Sequence, residues 1–194
     1  PMEKDKLILT VGRFSSSSQF KRQDLLIDAF KELLKSGARG WRMVIVGKVE
    51  DSQSLKIISG LRSKIKGLPI AIKTDLEHER LRLLYGKSSV YWHAAGYGAD
   101  LDKFPERAEH FGISTVEAMA AGAIPLSFAA GGQLEIIKNG ENGFLWENPT
   151  ELVAFTENII NNHELRNRLS MAAVNRAGHF SQENFCKNIR ELFK

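Results

Sequence analysis

Cysteine is nearly missing from this chain: it occurs once, at Cys186, among 194 residues. A lone thiol cannot close an internal disulfide, and no Cys/His cluster has zinc-ligand spacing. A reducing compartment, a packed inert thiol and no bound metal are the expectations. Long apolar runs are missing too. None approaches the ~18 residues that cross a bilayer, and the first residues carry Lys4 and Lys6 without an apolar stretch, so a soluble, cytoplasmic chain without a signal peptide is expected. Nor is there much excess charge, since 27 basic against 23 acidic residues leave a net +4. That balance suits a phosphate ligand as well as anionic lipid or nucleic acid. A nucleic-acid reader would add a basic stripe with interleaved aromatics, which is not seen.

What is present agrees with one compact domain, because 43% hydrophobic content with no low-complexity tract can bury a sizeable core. Short apolar runs rich in β-branched residues alternate with helical patterns, the signature of a parallel sheet covered on both faces. Strands are expected at residues 7–11, 43–46, 70–73, 89–92, 124–128 and 143–146. Between them, Leu25, Leu26, Ala29, Phe30, Leu33 and Leu34 form one helical stripe, with Gly37 placed as a C-cap. Further helices are expected over 53–65, 77–85, 115–121 and 133–138, then in a mainly helical tail from 150 onward. The fold class is α/β, a Rossmann-like three-layer sandwich with a helical tail.

In such a sheet, ligands sit outside the carboxyl ends of the strands. Gly12 and Arg13 leave the first strand there. Arg13 offers a planar fork of donors and Lys21 a mobile point charge, a pairing suited to a diphosphate, although both also read as ordinary surface cations. The run Ser15 to Ser18 between them reads as a flexible polar loop. Farther on, Glu109-His110-Phe111-Gly112-Ile113-Ser114-Thr115-Val116-Glu117 carries a glycine turn into a small-residue helix. Free N–H groups at the positive end of that helix, with a carboxylate one turn in, suit a ligand bearing phosphates and hydroxyls. Ser114-x-x-Glu117 is equally a capping box.

The segment resembles the Glu-x7-Glu motif of retaining glycosyltransferases with the GT-B fold, in particular the large family four. Val11-Gly12-Arg13 with Lys21 and the helix from Asp24 to Phe30 is similar to that family's opening strand, its phosphate-binding Arg and Lys, and its first helix. Trp41-Arg42-Met43-Val44-Ile45-Val46-Gly47 resembles the second strand, and Ile124-Pro125 the strand after the motif helix. Gly131-Gly132-Gln133-Leu134-Glu135 resembles the Gly-Gly-x-x-Glu turn, Asn139-Gly140-Glu141-Asn142-Gly143-Phe144 the short strand after it, and Phe180-Ser181 through Phe185 the closing helix. These matches follow the family's order over nearly the whole chain.

The resemblance implies a donor-binding domain whose parent transfers a hexosyl unit from a nucleoside diphosphate sugar with retention. Arg13 and Lys21 would neutralise the diphosphate without a metal. The N–H groups of Gly112, Ile113, Ser114 and Thr115 would face the diphosphate or the sugar, Glu117 the ribose hydroxyls and Glu109 the transferred sugar. Thr74, Asp75 and Leu76 would hold the base through backbone groups. The acceptor, a glycan, lipid or small molecule, would sit mainly on an N-terminal domain; the chain starts only a few residues before the first donor-half strand, so an excised domain, inactive alone, is expected. Peripheral association of the parent with a membrane face stays open. Residues 93–108 depart from the family's usual Pro-Ser turn and read as an insertion-like polar loop. There, His93 reads as a buried histidine satisfying loop carbonyls, Asp100-x-Asp102 as a chance echo of a metal motif, and Gly96-x-Gly98 as no dinucleotide fingerprint. The competing class is a Rossmann-like module that binds nucleotide or protein without catalysis.

Overall fold

A computed structural model describes residues 3–14 and 21–193. The expected polar loop Ser15 to Ser18 lies outside the described residues. Six strands, β1 (Asp5–Val11), β2 (Arg42–Gly47), β3 (Ile70–Thr74), β4 (Ser88–His93), β5 (Ile124–Phe128) and β6 (Phe144–Trp146), form one parallel sheet in the order β3-β2-β1-β4-β5-β6. The described residues also form eight helices, α1 (Gln23–Lys35), α2 (Ser52–Lys64), α3 (His78–Lys87), α4 (Ile113–Ala120), α5 (Gln133–Ile136), α6 (Pro149–Asn161), α7 (His163–Ala177) and α8 (Gln182–Leu192), and helices lie on both faces of the sheet. This is the expected Rossmann-like α/β sandwich. The strand order reverses between β1 and β4, and the crevice outside their carboxyl ends is where such a sheet receives a ligand.

Central strands with both faces covered must be apolar on both faces, and β1 and β4 show how this works. Ile8, Val90 and Trp92 join one core with α1 and α6, while Leu7, Leu9 and Tyr91 join the other with Tyr85 and Ala118. Trp92 is fully buried and meets Phe30 edge-on at 6.3 Å, while its indole N–H donates to Thr156 Oγ1 at 3.1 Å. The T-shaped pair adds ~0.5–1.5 kcal/mol beyond area burial. In α1 the stripe turns by one residue from expectation. Leu26, Ile27, Ala29, Phe30 and Leu33 are buried, with Leu25 and Leu34 at its margins. Gly37, at φ 101°, ends the helix: its N–H bonds Leu34 O while Ala38 N–H bonds Leu33 O, the two bonds of a Schellman cap.

Three local expectations need correcting. Cys186 is exposed on α8, a helix with no buried residue, so it is not a packed thiol. The 133–138 helix stops at Ile136, because Lys138 N–H turns to Asn142 Oδ1 and Asn139 bridges Gly143. The motif helix α4 begins at Ile113, two residues earlier than expected, with Gly112 as its N-cap. No helix in the described residues is long and apolar enough to cross a membrane.

Candidate functional site

Two loops meet at the switch point. One leaves β1 with Gly12 and Arg13 and enters α1 after Lys21; the other leaves β4 after His93 and enters α4 through Glu109 and Gly112. Their side chains meet across the crevice. Lys21 Nζ lies 2.5 Å from Glu109 Oε2, and His93 Nε2 lies 3.0 Å from the same oxygen. The Lys21 stem lies over Gly12, where a Cβ would come within 3.2 Å of Lys21 Cγ. Burial opposes the charge on Glu109, but the hydrogen bonds and charges of His93 and Lys21 win and hold its carboxyl down to about 2. His93 is 2% exposed, and burial, helped by Lys21, pushes its pKa down against the pull of Glu109. The imidazole is therefore neutral, with Nε2–H donated to the carboxylate. His93 thus bonds Glu109 rather than the loop carbonyls expected for it.

The Glu109 backbone is fixed from behind. Its carbonyl accepts Gly132 N–H at 2.8 Å, and a Cβ on Gly131 would stand 2.3 Å from that same carbonyl oxygen. Gly112 is a second glycine of this turn that resists a side chain. It has φ 105°, and a Cβ there would lie 2.2 Å from Gln133 Nε2. This turn starts α4 and directs its first N–H groups outward. Thr115 N–H bonds back to Gly112 O at 3.0 Å, whereas no acceptor for Ile113 N–H or Ser114 N–H occurs among the described residues. Thr115 therefore departs from its expected place: its N–H is engaged in the turn and its side chain is fully buried.

Ser114 and Glu117 do not form a capping box, because the helix has already begun when the chain reaches them. Tyr91 OH donates to Ser114 Oγ at 2.7 Å and contacts Val11 O at 3.2 Å; Tyr85 OH donates to Glu117 Oε2 at 2.9 Å. Burial raises both phenols well above the usual range, so they remain donors at any physiological pH. Glu117 itself is exposed. These tyrosines and His93 were not among the expected site residues, yet the signal was there: Tyr91 and His93 alternate along β4 and so share the face that α4 covers.

A cavity of about 420 Å³ lies beside Gly12 and Arg13 and is lined also by Gly47, Lys48, Asp75 and Leu76. Arg13 is half-exposed and reaches Glu50 Oε1 at 3.5 Å. Asp75, left-handed at φ 50°, ties the cavity's floor by accepting Val49 N–H at 3.1 Å and donating its own N–H to Gly47 O at 3.0 Å. Thr74 does not join them: it lines a separate cavity with Val49 and α2 residues, because alternation along β3 turns it to the other face. In the 94–108 loop, Tyr97 packs against Phe128 and Trp146, and Arg22 donates to Tyr97 O at 2.9 Å. Asp100 accepts Lys103 N–H at 3.2 Å, a local turn contact.

A family model described as "Glycosyl transferases group 1" matches residues 1–176. The chain belongs to the group 1 glycosyl transferases. An uncharacterised glycosyltransferase of Methanocaldococcus jannaschii is 35% identical over 96% of this chain and 47% of its own length. A Xenopus laevis GDP-Man:Man(3)GlcNAc(2)-PP-Dol alpha-1,2-mannosyltransferase is 26% identical over 96% of this chain and 39% of its own length. The chain thus spans less than half the length of these curated relatives. Among solved structures, HepE of Anabaena in complex with UDP-glucose superimposes with TM-score 0.77 at 20% identity, over 97% of this chain and 48% of that one. The C-terminal domain of a group 1 glycosyl transferase, LpcC of Francisella tularensis, does so with TM-score 0.72 at 20% identity, covering 91% of this chain and 86% of that domain. The fold of this group 1 chain is that of a Rossmann-like unit of GT-B glycosyltransferases.

Proposed function

We propose that this chain is the donor-binding domain of a retaining glycosyltransferase, which transfers a hexosyl unit from a nucleoside diphosphate sugar to an acceptor held mainly by a preceding domain. The observation that carries this reading is the joining of Lys21 to Glu109 across the switch-point crevice, beside Gly12, Arg13 and the N-terminus of α4. Arg13 and Lys21 neutralise the diphosphate as its charge grows on departure of the sugar. The N–H groups of Ile113 and Ser114 face the same anion. Glu117, its rotamer held by Tyr85, accepts the ribose hydroxyls, and Asp75 and Leu76 border the base in the cavity beside Arg13. Glu109 lies at the reacting sugar. The solved relative with UDP-glucose supports a donor of this chemical class.

With cations and helix-end amides on the phosphates, no divalent ion is required for donor binding. The domain alone should not turn over, because the acceptor pocket and the opposing wall that excludes water belong to the preceding domain. The test takes the protein with its preceding sequence, supplies a panel of nucleoside diphosphate sugars, and follows the anomeric proton of the product by NMR. Expected are a product with the donor's anomeric configuration, a rate unchanged by chelator, and no multiple turnover from these 194 residues alone. Inversion, a strict magnesium requirement or robust transfer by the chain alone would each overturn the corresponding part.

A further inference from the structure

His93 is the last residue of β4 and so belongs to the sheet, not to the loop that carries Glu109. It is 2% exposed, and its Nε2 lies 3.0 Å from Glu109 Oε2. Lys21 Nζ occupies the same oxygen at 2.5 Å from a loop on the other side of the crevice. Among the described residues nothing bonds the second oxygen, Oε1. A donor diphosphate would attract Lys21, since a dianion offers more charge than one carboxylate. Were Lys21 the sole restraint, Glu109 would lose its orientation at the moment the substrate arrived.

Resting on the donor-binding reading above, we infer that His93 is the positioning residue of Glu109: its Nε2–H holds Oε2 and aims Oε1 at the sugar while Lys21 passes from the carboxylate to the diphosphate. A strand residue suits this task, being fixed by the sheet whatever the loops do. The groups that face Glu109 are Lys21 from the loop after β1 and His93 from β4. Tyr91, on the same face of β4, feels its charge as well. Neither tyrosine nor lysine can replace the imidazole donor, because Tyr91 OH is engaged with Ser114 Oγ and Lys21 is the group that moves.

Two substitutions separate positioning from packing. His93→Gln can return an N–H to the Nε2 position; His93→Ala cannot. Carbon-13 NMR of the Glu109 side-chain carboxyl in the chain should show it titrating near 2 in the native protein and close to that in His93→Gln, but at least one pH unit higher in His93→Ala. In the protein with its preceding domain, His93→Ala should lower kcat roughly 10- to 100-fold with little change in donor KM, and His93→Gln should restore most of it. A Glu109 titration untouched by His93→Ala, or a loss confined to KM, would overturn the inference. Since the carboxyl titration needs no turnover, a shifted Glu109 in a protein that transfers no sugar would refute the transferase reading and leave the His93 contact standing. If His93→Ala does not fold, a Glu109 pKa in His93→Gln equal to that of an exposed carboxyl would overturn it equally.

Discussion

Glu109 has a depressed carboxyl, and the direction of that shift determines how it acts on stability. A group held at about 2 when folded, against an ordinary 4.5, contributes stability that is fully present above pH 4.5 and is lost as pH falls through about 2. His93 acts in the same sense in a higher window: buried neutral with its pKa pushed below the ordinary 6.5, it favours unfolding as the unfolded imidazole takes up a proton below that pH. Glu109→Gln should therefore flatten the melting temperature's dependence on pH between about 4.5 and 2, measured by calorimetry against the native chain. An unchanged slope would mean that Glu109 carries no depressed pKa. The sequence made Glu109 legible through its place eight residues before Glu117, but not its partners. Partnership with His93 depends on which way a strand residue faces, which the spacing of the two glutamates does not encode.

Among the elements, the turn into α4 decides most. Its N–H groups point outward only because Gly112 sits at φ 105° and lets the chain start helix two residues early. Gly112→Ala meets two obstacles, the left-handed backbone and a Cβ 2.2 Å from Gln133 Nε2, whereas Gly67→Ala, at φ 74° with nothing within 4 Å, meets only the first. Strain of this kind costs ~1–3 kcal/mol. Gly67→Ala should thus lower the melting temperature by a few degrees, and Gly112→Ala by clearly more. Equal losses would show that the Gln133 contact relaxes freely. Periodicity revealed every strand to within two residues, because strands buried on both faces are apolar runs with turn residues at their ends. It failed where side-chain hydrogen bonds set the boundary. Asn148 begins α6 by accepting Glu151 N–H at 3.0 Å, with Pro149 as the first helical residue, an N-cap signal two residues ahead of the expected start. The capping box at Ser114 and Glu117 was the opposite case, a local pattern overridden by tertiary partners on β4 and α3.

For the whole molecule, the strand order fixes one crevice, where Lys21 and His93 meet Glu109, while Gly12, Arg13, Asp75 and Leu76 line one cavity and Thr74 another. In the proposed reading Glu109, held by the cation of Lys21 and the imidazole of His93, stands at the sugar, a group that binding without transfer would not need. The central claim is that this crevice holds a nucleoside diphosphate, with Arg13 on the phosphates and Glu117 on the ribose. Isothermal calorimetry of the chain with UDP, GDP and ADP, repeated with Arg13→Ala and Glu117→Ala, tests it most directly. Glu117 caps nothing but accepts the buried Tyr85 hydroxyl, so its removal should lower the melting temperature by only a few degrees, whereas lost hydrogen bonds to a charged group, ~1.5–3 kcal/mol each, should weaken binding roughly tenfold or more. The expected result is saturable, chelator-insensitive binding of at least one nucleoside diphosphate by the native chain, reduced in both variants. No binding of any of the three, or native affinity in both variants, would contradict it.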